Sequence, residues 1–167
     1  MIDLLDERVA PLERDLRHVA RDDERVVLLK TIPGVGDLLG LTLASEIGDV
    51  ARFPTPRKLI GYAGLAPRVH QSGERSHTGA LSKAGSRTLR WAAVEAAHAA
   101  WRPTNPWHHL YSDIVKRAGK NPAKSAVARK ILIACWHILN RQQPFKPARS
   151  RASGTDVSAS SSCFLAA

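Results

Sequence analysis

Apolar residues at Ile2, Leu5, Val9, Leu12, Leu16 and Val19 recur at spacings of 3, 4, 3, 4 and 3, with charged residues between them. That is the heptad pattern of a helix that pairs along one stripe. Pro11 interrupts it, which predicts either a kink or a helix that begins afresh with Pro11 at its first position. The seam is short for an autonomous coiled coil. It predicts, over residues 1–27, the end of a longer helix or a helix that pairs with a second copy.

Five further helices are expected. Residues 31–36 break the chain, and apolar positions resume from Leu38 to Ile47. Thr55-Pro56 gives an N-cap with proline at the first helical position, and Gly64 is placed to end that helix after Ala63. Periodicity stops after Leu65, and a small β-hairpin within the polar loop 68–81 is the one strand candidate. A helix from Arg87 to Trp101 carries a seam of Leu89, Ala93, Ala96 and Ala100. Asn105-Pro106 and Asn121-Pro122 repeat the cap-and-proline signal for two last helices. The final one runs to about Gln142, with Val127, Ile131, Ala134, Cys135 and Ile138 on its buried side. The fold class is therefore all-α: a helical domain at 28–147 that contains a helix-hairpin-helix element and follows a coiled-coil-like helix. The Ser-rich tail at 148–167 cannot bury enough apolar surface to fold and is expected to be disordered.

A chain of 167 residues accommodates one domain plus appendages. Many alanines and an aromatic content of 5% favour close helix-on-helix packing over a sandwich. Charge is unevenly spread. Residues 1–64 hold 9 Lys and Arg against 11 Asp and Glu, a balance of −2, whereas residues 65–167 hold 16 against 4, a balance of +12. A basic half joined to a near-neutral half is the footprint of a polyanion partner. No apolar run approaches the roughly 20 residues of a membrane span, and the cations are not confined to one amphipathic helix, so no membrane partner is expected. Cys135 and Cys163 form no framework and are expected as free thiols in a reducing cytoplasm. His108 and His109 are adjacent and would face different sides of a helix, which argues against zinc. The acidic N-terminus argues against a secretory signal.

The candidate chemistry lies between Ala63 and Arg90, a hydroxyl-rich, basic run almost free of carboxylates. Ser72 and Gly73 sit among Arg68, His70, Arg75 and His77, while Ser82 and Lys83 lead into the helix that carries Arg87 and Arg90. Cations at a helix N-terminus oppose the helix dipole, which favours a bound phosphate over the competing explanation, a solvated basic face. Upstream, Ile32-Pro33-Gly34-Val35-Gly36 between two apolar helices matches a helix-hairpin-helix corner. Its glycines, Gly34 and Gly36, would expose backbone N–H groups to a phosphate. A tight corner between helices is the competing explanation. A serine hydroxyl needs activation by a base, a metal or dense positive charge before it attacks. Beyond Leu65 the only carboxylates are Glu74, Glu95, Asp113 and Asp156, with no spacing that suggests a shared metal ion.

The ordered combination of PGVG, YAGLxP, SG and SKxGxxxLR, together with the closing AVARKILIACWHILNRQQPFKP, resembles the C-terminal domain of the Piv/MooV-type, or IS-one-ten, transposases and DNA invertases. The resemblance covers about residues 28–147. It implies a DNA-binding domain whose serine attacks DNA, with an N-terminal RuvC-like domain supplying acidic ligands for a divalent metal, magnesium. By motif the nucleophile falls on Ser72, with Ser82 as runner-up. In some members a structured guide RNA selects the sites. The implied partners are thus DNA, a guide RNA, and a second copy or a full-length transposase; the implied location is the cytoplasm, at the nucleoid. No RuvC-like domain is present, so the chain resembles a truncated product expected to hold no metal and to be inactive alone. Two alternatives are a non-catalytic nucleic-acid-binding module and a dimerisation partner of the full-length enzyme.

Overall fold

The computed structural model describes the backbone of residues 2–72, 75–82 and 84–147, and within that span the side chains of 7–67, 81–82 and 84–147. The fold is all-α. Its helices are α1 (Ile2–Asp22), α2 (Glu24–Leu29), α3 (Asp37–Ile47), α4 (Pro56–Tyr62), α5 (Arg87–Ala97), α6 (His108–Ala118) and α7 (Lys120–Arg141), with single 3-10 turns at Val50–Arg52 and His98–Trp101. Between α4 and α5 two short strands, β1 (Pro67–Ser72) and β2 (Arg75–Leu81), pair antiparallel. The expected C-terminal tail lies outside the described residues.

α7 is the central helix and packs against α2, α4, α5 and α6. It buries Val127, Ile131, Cys135 and Ile138, as its periodicity predicts, while Ala134 is half-buried. α5 meets it through Leu89, Ala92, Ala93, Ala96 and Ala97, all buried. Alanine at successive turns lets two backbones approach closely, which replaces the bulk that aromatic residues would otherwise supply. Leu29, Ile32, Leu43, Ile47, Leu59, Leu65, Leu89, Ile131 and Leu132 are fully buried, each contributing about 1.5–3 kcal/mol of transfer free energy. The same burial pushes the Cys135 thiol up to about 12.

Several boundaries differ from the sequence pattern. α1 neither stops nor restarts at Pro11, which lies inside a continuous 21-residue helix. Among its described side chains the stripe is largely uncovered: Leu12 is 61% and Val19 57% exposed, and of these residues only Ala20 near the helix end joins the core. Residues 1–27 also hold a second helix. Asp23 breaks the chain and caps α2, its carboxylate accepting from the Arg25 N–H at 2.9 Å and from the Arg25 guanidinium at 2.7 Å. That guanidinium holds the Asp23 carboxyl below its ordinary range.

Proline placement explains the remaining shifts. Pro56 is at the first position of α4 after Thr55, as expected, although Thr55 makes no side-chain cap bond. Asn105 does not cap α6. Its side chain accepts from the Trp107 N–H at 2.9 Å within the preceding turn, and α6 begins at His108. α7 starts two residues before Pro122, after Gly119. Proline lacks only an N–H that the first turn leaves unused, so any first-turn position accepts it. The helix expected from Arg87 to Trp101 tightens into a 3-10 turn after Ala97.

Candidate nucleic-acid interface

The start of α5 is bound to two other helices. The Ser86 hydroxyl accepts from the Leu89 N–H at 3.0 Å, capping α5, and donates to Glu46 Oε2 of α3 at 2.7 Å. The Ser86 N–H donates to the Tyr62 carbonyl at 2.8 Å. Gly85 makes this approach possible: at φ +137° it lies so close that a Cβ would overlap the Tyr62 carbonyl. Arg90 Nη1 donates to the Ala63 carbonyl at 3.0 Å, placing a cation on the C-terminal end of α4, where the helix dipole favours it. Arg90 is thus half-buried and engaged with the fold, whereas Arg87, one turn earlier, is exposed. The pair is not an equivalent two-pronged clamp.

The hairpin leaves the helical body at this joint. The Ser82 N–H donates to the Ala66 carbonyl at 2.9 Å and closes the base, next to the Pro67–Leu81 pair. From there the register runs outward through Val69–Thr78, His70–His77 and Gln71–Ser76 to Ser72–Arg75, with an irregularity between Pro67 and Val69. Ser72 and Ser82 therefore occupy opposite ends. Six strand steps at about 3.3 Å each, from Ser72 to the level of Ala66, separate them by about 20 Å, so one site cannot hold both. Arg68 lies near the base of β1 and Arg75 beside the turn. The side chains of Ser72, Arg68 and Arg75, and all of Gly73 and Lys83, lie outside the described residues.

The corner between α2 and α3 is at the far end of α5. A Cβ on Gly34, whose φ is +97°, would stand 2.5 Å from the Ala96 carbonyl oxygen and 2.9 Å from Ala99 Cβ. Glu46, near the other end of α3, meets Ser86 at the start of α5. α3 and α5 are therefore antiparallel, and about 15 Å of helix lies between the corner and Arg87. Helix packing and the positive φ both require glycine at position 34. Gly36, the N-cap of α3, faces open space and provides no side-chain cap. Asp37, one residue on, pairs with Lys30, so a carboxylate already stands at the positive end of this helix.

The sequence pattern missed two basic regions. Lys116, Arg117 and Lys120 are exposed around the α6–α7 junction. Lys130, His137, Arg141 and Lys146 line a recess beside α7. Among the described residues no three of His, Cys, Asp and Glu converge as metal ligands. The His108 and His109 rings lie edge to face at 5.8 Å without a third donor. No described helix is long and apolar enough to cross a membrane.

The architecture defines an alanine-packed helical domain with a hairpin set between α4 and α5 and a strongly basic C-terminal half. The chain belongs to the transposase IS116/IS110/IS902 family, whose profile matches residues 26–113. It is 32% identical over 145 residues to the transposase for insertion sequence element IS1111A of Coxiella burnetii, covering 84% of this chain and 40% of that protein. It is 29% identical to a probable family 20 transposase of Pseudomonas aeruginosa, over 86% of this chain and 44% of the relative. The pilin gene-inverting protein of Moraxella bovis is 32% identical over 74% of this chain and 39% of its own length. The chain thus spans about two fifths of the length of these relatives.

Proposed function

We propose that this chain is the DNA-binding, serine-bearing part of a transposase or DNA invertase. The observation that carries this reading is family membership over residues 26–113, together with a balance of +12 beyond Gly64. Relatives named as a transposase and as a pilin gene-inverting protein both match, and the common chemistry is exchange of phosphodiesters in DNA. The α2–α3 corner, with Gly36, acts as a helix-hairpin-helix contact to one phosphate, and Arg87 holds another. Arg68, Arg75 and Lys83 add positive charge along the hairpin. Backbone contacts of this kind set register without reading sequence, so a guide RNA would supply site choice. The exposed α1 stripe would pair with a second copy or with a full-length transposase.

In this reading the Ser72 oxygen forms a bond to phosphorus as the bond to one sugar oxygen breaks. The serine proton passes to a base, and the departing oxygen takes up a proton. The described residues offer no metal-ligand cluster, so the chain alone should bind DNA without cutting it. A specific alternative follows from the same observation: a nucleic-acid-binding module with no catalytic role.

The deciding experiment combines the chain with the portion of the Coxiella burnetii relative that it does not cover, a divalent ion, a guide RNA and labelled duplex. A protein–DNA adduct that resists detergent is expected, and Ser72→Ala should abolish it with duplex affinity nearly unchanged. An adduct that survives Ser72→Ala but not Ser82→Ala would move the chemistry to the hairpin base. Absence of an adduct under all conditions, with normal binding, would favour the non-catalytic alternative.

A further inference from the structure

A recess of about 630 Å³ opens between α6, α7 and the chain that follows α7, within the size range of small-molecule and cofactor sites. It forms because α7 ends in a left-handed residue, Gln142 at φ +51°, whose side-chain amide donates to the Leu139 carbonyl at 2.7 Å and turns the chain back. One wall is aromatic: the Trp107 and Phe145 rings meet at 5.3 Å, inclined by 45°. Both are held from the backbone, Trp107 by its N–H on Asn105 Oδ1 and Phe145 by its N–H on Thr31 Oγ1 at 2.8 Å. The wall therefore exists before any ligand arrives.

The rim has one sign of charge. Lys130, Arg141 and Lys146 are exposed around it, and among the described residues no carboxylate contributes to the lining. His137 also lines it, and its Nδ1, shielded from water, has no hydrogen-bond partner among the described residues. An aromatic wall and a cationic rim match a group with a flat π-face and an attached anion. In a duplex the base faces are stacked and inaccessible, so only an unpaired base could enter such a recess.

We propose that this recess binds an unpaired nucleotide of a single-stranded segment, its base against Trp107 and Phe145 and its phosphates on Lys130, Arg141 and Lys146. None of its residues is a duplex contact in the reading above, so the two can fail separately.

The test measures anisotropy of labelled ten-nucleotide oligothymidine DNA and oligouridine RNA against the full chain, beside a duplex of the same length. Binding of either single strand is expected, and the stronger one identifies the source. Trp107→Ala should weaken it about tenfold, Trp107→Phe should restore most of it, and duplex affinity should stay unchanged. Arg141→Glu, at an exposed position, should weaken single-strand binding and flatten its salt dependence, which keeps the proposal testable if Trp107→Ala does not fold. Failure to bind either single strand would overturn it. So would a folded Trp107→Ala that binds as the parent does or loses duplex equally, and so would an acidic peptide that displaces the oligonucleotides and requires Trp107 more than they do.

Discussion

Gly34 and Gly36 stand two residues apart in the same corner, and alanine should have opposite consequences at each. At Gly34 the new Cβ would sit 2.5 Å from a backbone oxygen of α5, which cannot rotate away, and 2.9 Å from Ala99 Cβ. The φ of +97° adds a backbone penalty of about 1–2 kcal/mol for a residue with a Cβ. Overpacking a filled contact adds about 1–3 kcal/mol. Gly34→Ala should therefore cost about 2–5 kcal/mol, lowering Tm by about 4–20 °C for a chain of this size. At Gly36 nothing lies within 4 Å of the added methyl and φ is −97°, so Gly36→Ala should cost no more than about 1 kcal/mol. Urea unfolding followed by helical circular dichroism reads both, and anisotropy of a labelled duplex reads binding. If Gly36 carries a phosphate, the added methyl projects into the space the phosphate would occupy and should hold it off the backbone N–H, so Gly36→Ala should lose about tenfold in duplex affinity with little loss of stability, a charge-assisted bond being worth about 1.5–3 kcal/mol. A Gly34→Ala protein within 1 kcal/mol of the parent would refute the packing argument. A Gly36→Ala protein that binds duplex normally would remove the corner from the interface.

Arg87→Ala should reduce the salt slope of duplex binding by about 0.9 with unfolding unchanged, whereas Arg90→Ala should destabilise by about 1–3 kcal/mol because the Ala63 carbonyl loses a charged donor; equal stability of the two variants would contradict the division of labour. Leu12→Asp with Leu16→Asp should convert self-associated chain to monomer in sedimentation, and a parent already monomeric at high concentration would leave the α1 stripe to another partner. Cys135 should resist thiol reagents at pH 8 until the protein unfolds. Its folded pKa, raised from 9.0 to about 12, means that the unfolded thiol releases its proton first. Stability should therefore be level below about pH 8 and fall between pH 9 and 12; Cys135→Ala should flatten that decline.

Local signals carried most of the fold. The alanine seam of α5, the apolar face of α7 and the glycine after Ala63 each follow from periodicity or a single backbone requirement. The hairpin was expected only as the one strand candidate in a polar loop, because its register rests on pairing across the chain rather than on propensity. What local pattern could not show was tertiary engagement. Arg90 and Arg87 look alike in sequence, yet one reaches a carbonyl 27 residues away and the other faces solvent. Gly34 and Gly36 look alike as turn residues until α5 is laid against the first. The recess beside α7 joins Trp107, Lys130 and Phe145 from three segments, and no spacing rule connects them.

The position of the two serines constrains how the proposed chemistry could run. Ser82 lies at the hairpin base, half-buried, one helical approach away from Arg87, and its N–H is committed to Ala66. Ser72 pairs across from Arg75 beside the turn, about 20 Å away along the strands. If Ser82 were the nucleophile, the attacked phosphate and the phosphate on Arg87 would be the same or adjacent, and Arg87→Ala should depress adduct formation far more than binding. If Ser72 is the nucleophile, the two phosphates are different ones, about six nucleotides apart at 3.4 Å per step along a strand. Arg87→Ala should then weaken binding and adduct formation in proportion, and saturating DNA should restore the adduct. A nucleophile must approach within about 3–3.5 Å of phosphorus in line with the leaving oxygen, a tolerance far smaller than the length of the hairpin. The choice of serine is therefore also a choice of which phosphate the helical body holds, and comparing adduct yield at limiting and saturating DNA separates the two.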